Sequence, residues 1–320
     1  SIKLNPDDKT SYGGFSSYAK MNPYWRIYDD EGNYIPRYKK ILSDEYISNP
    51  LYDASKNIIN KSAYKNITNN LQIEWRIIDG LTLRGTLGIS TQSNTSDLFI
   101  PPSHSAFLSD TYAKPENVFR KGKYTYGTGE SNNIMGNITL NYSKTFNEKH
   151  NLTAGIDFSM ENAKSHEYTF VAEGFVNDDL GFLPSGLQYQ QEGKPSGSES
   201  HTRAVGFTAN AVYTYDNRYF ADLSYRIDGS SVFGRDNQFA PFWSAGIGWN
   251  VHNEKFLKDS QFLIRMRLRA STGETGSREF SAYQALSTFS YYMDERYITW
   301  NGAGLMGLGN DKLKWQTTMQ

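Results

Sequence analysis

Cysteine is absent from the 320 residues, which removes at once a disulfide framework, a thiolate zinc site, an iron–sulfur cluster and a cysteine nucleophile. The compartment stays open, since cysteine-free chains also occur where disulfides form. Net charge is nearly absent as well: 33 Lys+Arg against 34 Asp+Glu leave −1, so no global field draws the chain to nucleic acid or to an anionic membrane surface. The sequence has no run of about 18 apolar residues, and its mean hydropathy is −0.63, so no helix is expected to cross a membrane. A barrel of strands remains open, because only every second residue of such a strand is apolar. The first ten residues, SIKLNPDDKT, hold no basic or greasy stretch of a secretory signal. The last ten, DKLKWQTTMQ, read as a strand with no turn after it, so the chain reads as a piece of something longer.

Aromatic residues, by contrast, are plentiful: 23 Tyr, 18 Phe and 6 Trp make 15% of the chain, set beside Gly, Thr, Ser and Asn, a composition that favours strands and turns. Leu71, Ile73, Trp75 and Ile77 alternate with Gln72, Glu74 and Arg76, which gives a strand with one apolar and one polar face. Asp79-Gly80 then supplies a hairpin turn, and Leu81, Leu83, Leu87 and Ile89 return. Ile134, Ile138, Leu140 and Tyr142 lead through Asn147-Glu148-Lys149-His150 into Leu152, Ala154, Ile156, Phe158 and Met160. Val205, Phe207, Ala209, Ala211 and Tyr213 lead through Asp216-Asn217 into Tyr219, Ala221, Leu223, Tyr225 and Ile227. Finally Trp243, Ala245, Ile247, Trp249 and Val251 precede a turn at 252–261, and Phe262, Ile264, Met266, Leu268 and Ala270 return against Arg265, Arg267 and Arg269. Four hairpins, eight full strands, are predicted.

Their connections fall into two length classes. Turns inside hairpins are short, whereas the links between hairpins are long: about 40 residues at 91–130 and at 161–200, fewer at 228–240. Strict alternation of short and long ends is uncommon in a soluble sandwich and is the pattern of outer-membrane barrels. Rings near strand ends (Tyr142, Phe146, Tyr213, Tyr215, Tyr219, Phe220, Trp243, Trp249) suit the aromatic girdles of a bilayer interface. The expectation is an all-β, antiparallel transmembrane β-barrel segment with long extracellular loops. A secreted carbohydrate-binding β-sandwich and a self-contained porin are the competing architectures.

Particular strings then become recognisable. YFADLSYRIDGSSVFG (219–234), FAPFWSAGIGWNVHNEKFL (239–257) and RMRLRASTGETGS (265–277) resemble the barrel of SusC/RagA-type TonB-dependent outer-membrane transporters of Bacteroidota. MNPYWRIYDDEGNY (21–34), NPLYDA (49–54), EGF (173–175), GKPSGSES (193–200) and GNDKLKWQTT (309–318) follow in the family's order. Departures are small: Thr272, Ser277, Asp311 and Gln316 stand where the family has an aromatic, Asn, Pro and Glu. The resemblance implies that 1–320 is part of one barrel domain, about eight to ten strands of a 22-stranded barrel, with the plug domain and remaining strands outside this chain. It further implies a bacterial outer-membrane location, a SusD-like surface lipoprotein as partner, TonB acting through the absent plug, and a dimer of transporter–lipoprotein pairs. Import of glycans as oligosaccharides is the first expectation and import of oligopeptides the alternative.

No catalytic residue, cofactor or metal is expected. Gly302-Ala303-Gly304-Leu305-Met306-Gly307 is a literal G-x-G-x-x-G, but no strand feeds it and no helical pattern follows, so it reads as a glycine-rich loop and not a dinucleotide site. The five histidines (104, 150, 166, 201 and 252) read as loop and turn residues without metal-ligand spacing. Acid pairs such as Asp178-Asp179 lie in loops, where sequence alone cannot place two carboxylates face to face. Exposed rings in loops are the candidates for substrate contact: Trp25, Tyr28, Phe99, Tyr291, Tyr292 and Trp300. For each ring, packing in the small core of a long loop is an equal alternative.

Overall fold

The computed structural model describes residues 2–8, 18–19, 21–40, 45–190, 193–257 and 264–320. Its strands are β1 (Ile2–Asp8), β2 (Arg37–Lys39), β3 (Tyr46–Ser48), β4 (Ile59–Ile78), β5 (Leu81–Ile100), β6 (Lys123–Phe146), β7 (His150–Glu173), β8 (Gln188–Tyr189), β9 (Ser196–Tyr215), β10 (Tyr219–Ser230), β11 (Phe239–Trp249), β12 (Leu268–Ser277), β13 (Thr288–Tyr297), β14 (Trp300–Gly307) and β15 (Gln316–Met319). The main sheet has the order β1-β4-β5-β6-β7-β9-β10-β11-β12-β15, with β8 added on β7. The four periodic hairpins are β4–β5, β6–β7, β9–β10 and β11–β12, and β1 and β15 extend the path to ten. β2–β3 and β13–β14 are separate two-stranded sheets.

The turns follow from local chemistry. Gly80 has φ +82°, and Asn147, Glu148, Asp216 and Asn217 all have positive φ. Closing bonds from Lys149 N to Phe146 O (3.2 Å) and from Arg218 N to Tyr215 O (2.9 Å) complete two turns of the twist-compatible primed type.

The strands outrun the pattern that predicts them. β6 and β7 have 24 residues each, which at about 3.3 Å per residue and a tilt near 45° reach roughly 55 Å, about twice a bilayer's hydrocarbon core. The long links are correspondingly shorter than expected, at 101–122 and 174–195, because the polar ends of β5, β6, β7 and β9 are still in the ladder. Apolar alternation reports what a face meets; backbone pairing needs no such face. The link between β12 and β15, 278–315, is long as well, but the expected alternation fails between them: the β10–β11 link, 231–238, is shorter than the β11–β12 connection, 250–267. In the opposite direction, the eighth strand starts at Leu268: Ile264 to Met266 are irregular, and Phe262 lies outside the described residues.

Registers sort the side chains. Tyr215, Tyr219, Trp249 and Leu268 stand in one row across β9 to β12, followed by Tyr213, Ala221, Ile247 and Ala270, then by Ala211, Leu223, Ala245 and Thr272. The alternate rows hold Thr214, Phe220, Gly248 and Arg269, then Val212, Asp222, Gly246 and Ser271. The apolar rows are not covered by protein: Leu71, Ile73, Trp75, Ile138, Leu223 and Ile247 are all more than half exposed. A sandwich would bury this stripe under a second sheet, and the described residues place none over it. Phe220 is a correction to the ring assignment, since it stands on the polar face, beneath the Arg267 guanidinium at 5.1 Å.

Contacts divide the chain into two units. One comprises Ser1–Ile67, Thr91–Ser131 and Ser165–Glu199. Its core is Phe99, Tyr124, Ala172 and Phe175, with Phe99 edge-on to Phe175 at 5.0 Å. The other comprises Thr68–Ser90, Asn132–Lys164 and Ser200–Gln320. Its core is Val232, Phe233, Phe242 and Trp315. There the segment before β15 folds onto the polar face of β11: Trp315 packs on Phe233 at 4.5 Å and on Phe242 at 5.5 Å. Its indole N–H donates to Gln238 O (3.1 Å), while Leu313 O accepts from Gly234 N (3.0 Å).

Candidate functional site

The strings that mark the sequence hold the loops together. In NPLYDA, Asn49 is fully buried. It caps the short helix Pro50–Ala54 by accepting from Leu51 N at 3.0 Å, and it donates to Ile35 O at 2.8 Å. Asp53 accepts from Ser105 N (3.0 Å) and Ser105 Oγ (2.8 Å), and faces His104 Nε2 at 3.5 Å. Burial holds the His104 imidazole below its ordinary range, outweighing the pull of Asp53. In EGF, Glu173 takes the Arg120 guanidinium (Nε to Oε1, 2.9 Å) and Gln188 Nε2 (3.0 Å), while Phe175 enters the core. Asp178 accepts from Ser103 N at 3.2 Å and from Ser103 Oγ, so this acid pair ties loop to loop.

The six candidate rings separate into three and three. In the first unit, Trp25 stacks on Tyr38 at 4.5 Å and Tyr28 lies against Tyr34 at 4.8 Å. Phe99 is neither in a loop nor exposed. It ends β5 with 0% of its surface accessible, so the packing alternative describes it. In the second unit, Tyr291, Tyr292 and Trp300 share the hairpin β13–β14. Tyr291 and Trp300 are 71% and 76% exposed. Tyr292 lies flat over Gly302 and Gly304, where any Cβ would run into its ring. This explains the G-x-G spacing: alternate glycines clear one face of a strand for one tyrosine. The motif is a strand, not a loop.

The histidine assignment also changes. His150 and His166 lie in β7 and His201 in β9, with His201 Nε2 beside Asn162 Oδ1 at 2.7 Å. Among the described residues no group of three or more His, Asp or Glu side chains is placed to hold a metal.

The polar face of the second unit carries a bay of about 970 Å³. Met135, Gly206, Phe242 and Trp315 are among its lining residues, as are the members of two ion pairs. Arg226 Nε meets Asp228 Oδ1 at 2.6 Å, and Arg278 reaches Glu161 Oε2 at 2.9 Å. Sequence shows the first pair, since Arg226 and Asp228 are alternate residues of one strand. It hides the second, whose members are 117 residues apart. At the short-turn end, the Glu254 carboxylate is buried. It accepts from Tyr219 OH (2.7 Å), Trp249 Nε1 (3.0 Å) and Arg218 (3.0 Å), and these donors hold it below the usual carboxylate range.

A ten-strand antiparallel path with one bare apolar face and one polar face defines a segment of a transmembrane β-barrel. More particularly, the fold is that of SusC/RagA-type TonB-dependent receptors, to which the chain is similar along nearly all its length. TonB-dependent receptor P3 of Formosa agariphila is 29% identical over 310 residues, 95% of this chain and 29% of its own. TonB-dependent receptor SusC of Bacteroides thetaiotaomicron is 24% identical over 324 residues, 96% of this chain and 30% of its own. The chain thus spans under a third of these relatives. Among solved structures, the RagAB peptide transporter superposes with TM-score 0.78 at 22% identity, over 92% of this chain and 31% of that one. The RagAB peptide importer in its closed-closed state gives 0.79 at 21% identity, over 99% and 35%. No family model matches the chain.

Proposed function

We propose that residues 1–320 are one stretch of wall in the barrel domain of an outer-membrane TonB-dependent importer, whose plug and remaining strands lie outside this chain. The observation that carries the reading is the bare stripe. Apolar side chains left uncovered on one sheet face are costly in water and at home in hydrocarbon. The polar face then lines the passage, and a SusD-like lipoprotein on the long-loop side hands over cargo. TonB supplies the work through the plug, so the wall itself performs no chemistry.

The cargo is an oligosaccharide. Support comes from the hydroxyl- and amide-rich cleft of about 510 Å³ in the first unit, lined by Ser62, Asn94, Ser96, Thr128 and Ser131, and from the exposed Tyr291 and Trp300 rings, which suit sugar faces. A second reading, oligopeptide, is favoured by the two ion pairs of the bay, which match the mixed charges of a peptide. The test is uptake by cells carrying the full-length protein, with and without TonB, of labelled oligosaccharides and oligopeptides of matched length. TonB-dependent oligosaccharide uptake is expected. Uptake of peptides alone overturns the cargo, and a full-length protein soluble without detergent overturns the membrane reading.

A further inference from the structure

The apolar face is not uniformly smooth. Where Tyr215, Tyr219, Trp249 and Leu268 form the row nearest the short turns, the next row reads Tyr213, Ala221, Ile247, Ala270. Two alanines set beside large neighbours leave a groove of about 620 Å³, bounded by Tyr213, Tyr219, Ile247, Trp249 and Leu268. Its walls are fixed. Tyr219 OH and Trp249 Nε1 both donate to the Glu254 carboxylate, and Tyr213 OH meets His150 Nδ1 at 2.6 Å. These three polar tips are engaged elsewhere, and although Tyr215 and Arg269 also border the groove, the surface it exposes is mostly apolar.

We propose that this groove is a binding site for one acyl chain of a phospholipid in the leaflet on the short-turn side. The inference rests on the membrane-facing reading of the stripe and goes beyond it: the stripe meets any lipid, whereas the groove holds one. Three features support a held chain over passing ones. The hollow lies in the greasy stripe at its aromatic edge, where a phospholipid's chains begin. Its floor is methyl groups, against which methylenes make close dispersion contacts. Of its ring walls, Tyr219 and Trp249 are tied down by a buried carboxylate and Tyr213 by His150, so ordering them costs the lipid little.

Two tryptophans of the stripe make the test internal. Trp249 walls the groove, whereas Trp75 stands on the same apolar pattern of β4 and is 60% exposed, away from it. The full-length protein is reconstituted in vesicles with increasing fractions of phospholipid carrying brominated acyl chains, and each residue's fluorescence is taken by difference against W249F and W75F. The expected result is saturable quenching of Trp249, half complete at roughly a third of the brominated fraction that Trp75 requires, the preference coming from added packing contacts. Ala221→Leu with Ala270→Leu fills the hollow and should bring Trp249 back to the Trp75 curve while the protein still inserts. If the two residues follow one curve in the parent protein, only passing lipid touches the groove and the site is refuted. If brominated chains quench neither residue, the membrane reading itself falls.

Discussion

Placing an arginine at Leu223 tests the orientation of the whole sheet. On β10, Tyr219 stands in the ring row at the short-turn end and Ile227 lies eight residues on. At about 3.3 Å per residue and a tilt near 40°, that interval crosses roughly 20 Å of bilayer, which puts Leu223 about 10 Å from either boundary. An arginine near the midplane of a barrel's lipid face costs about 2–4 kcal/mol, falling to about 0–1 kcal/mol near an interface. Leu223→Arg should therefore cost about 3 kcal/mol, roughly a 150-fold shift toward unfolded protein. Ile227→Arg should cost no more than about 1 kcal/mol. The adjacent Ser224→Arg points into the polar row with Asn210 and should stay within about 0.5 kcal/mol of the parent. Urea titration of the full-length protein folded into phospholipid vesicles measures all three. Equal losses at 223 and 224, or a larger loss at 224, would refute the assignment of faces.

Further outcomes follow from the loops and turns. Phe233→Ala, at a side chain 2% exposed, should destabilise by about 3–5 kcal/mol and loosen 309–315, seen as new protease sensitivity there; an unchanged digestion pattern would contradict the packing of Phe233 on Trp315. Neutral His104 accepts from Ala106 N at 3.1 Å, and its lowered pKa means the unfolded loop binds the proton more readily. Stability of 103–107 should thus be full above about pH 6.5 and fall as the pH drops through that value; amide exchange that is flat between pH 7.5 and 5.5, after correction for intrinsic rates, would sink this. Glu254, whose pKa is depressed, should hold the short-turn end above its ordinary titration range and release it as the pH falls below, with Glu254→Gln mimicking the acid state in Trp249 emission.

The bare stripe was legible because alternation is a strictly local signal: Leu71 to Ile77 and Tyr219 to Ile227 declare their faces without help from the rest of the chain. The upper strands were not, because Asn94, Thr95 and Ser96 have no apolar partner to alternate with, though they pair in β5 as firmly as Leu81 does. Phe99 is hidden for a different reason. It stands in the unbroken apolar run Leu98-Phe99-Ile100, which alternates with nothing and so declares no face, while the side chains that bury it, Tyr124 of β6 and Phe175 just after β7, are distant in sequence. Arg226 with Asp228 could be read from spacing alone; Glu161 with Arg278 depends on a chain reversal that no short window contains. The glycines at 302 and 304 showed a pattern in the sequence, but its meaning waited on the ring of Tyr292.

Because paired amides rather than greasy side chains carry the far ends of β4 to β7 and β9, those ends are free of the chemical uniformity that lipid demands. Outside the buried cluster of Phe99, Tyr124 and Ala172, residues there can be exchanged for others of different polarity while the ladder stands and the anchored part below is untouched. A rim built this way is a palette: it can be recoloured for a new cargo without renegotiating how the protein sits in its bilayer.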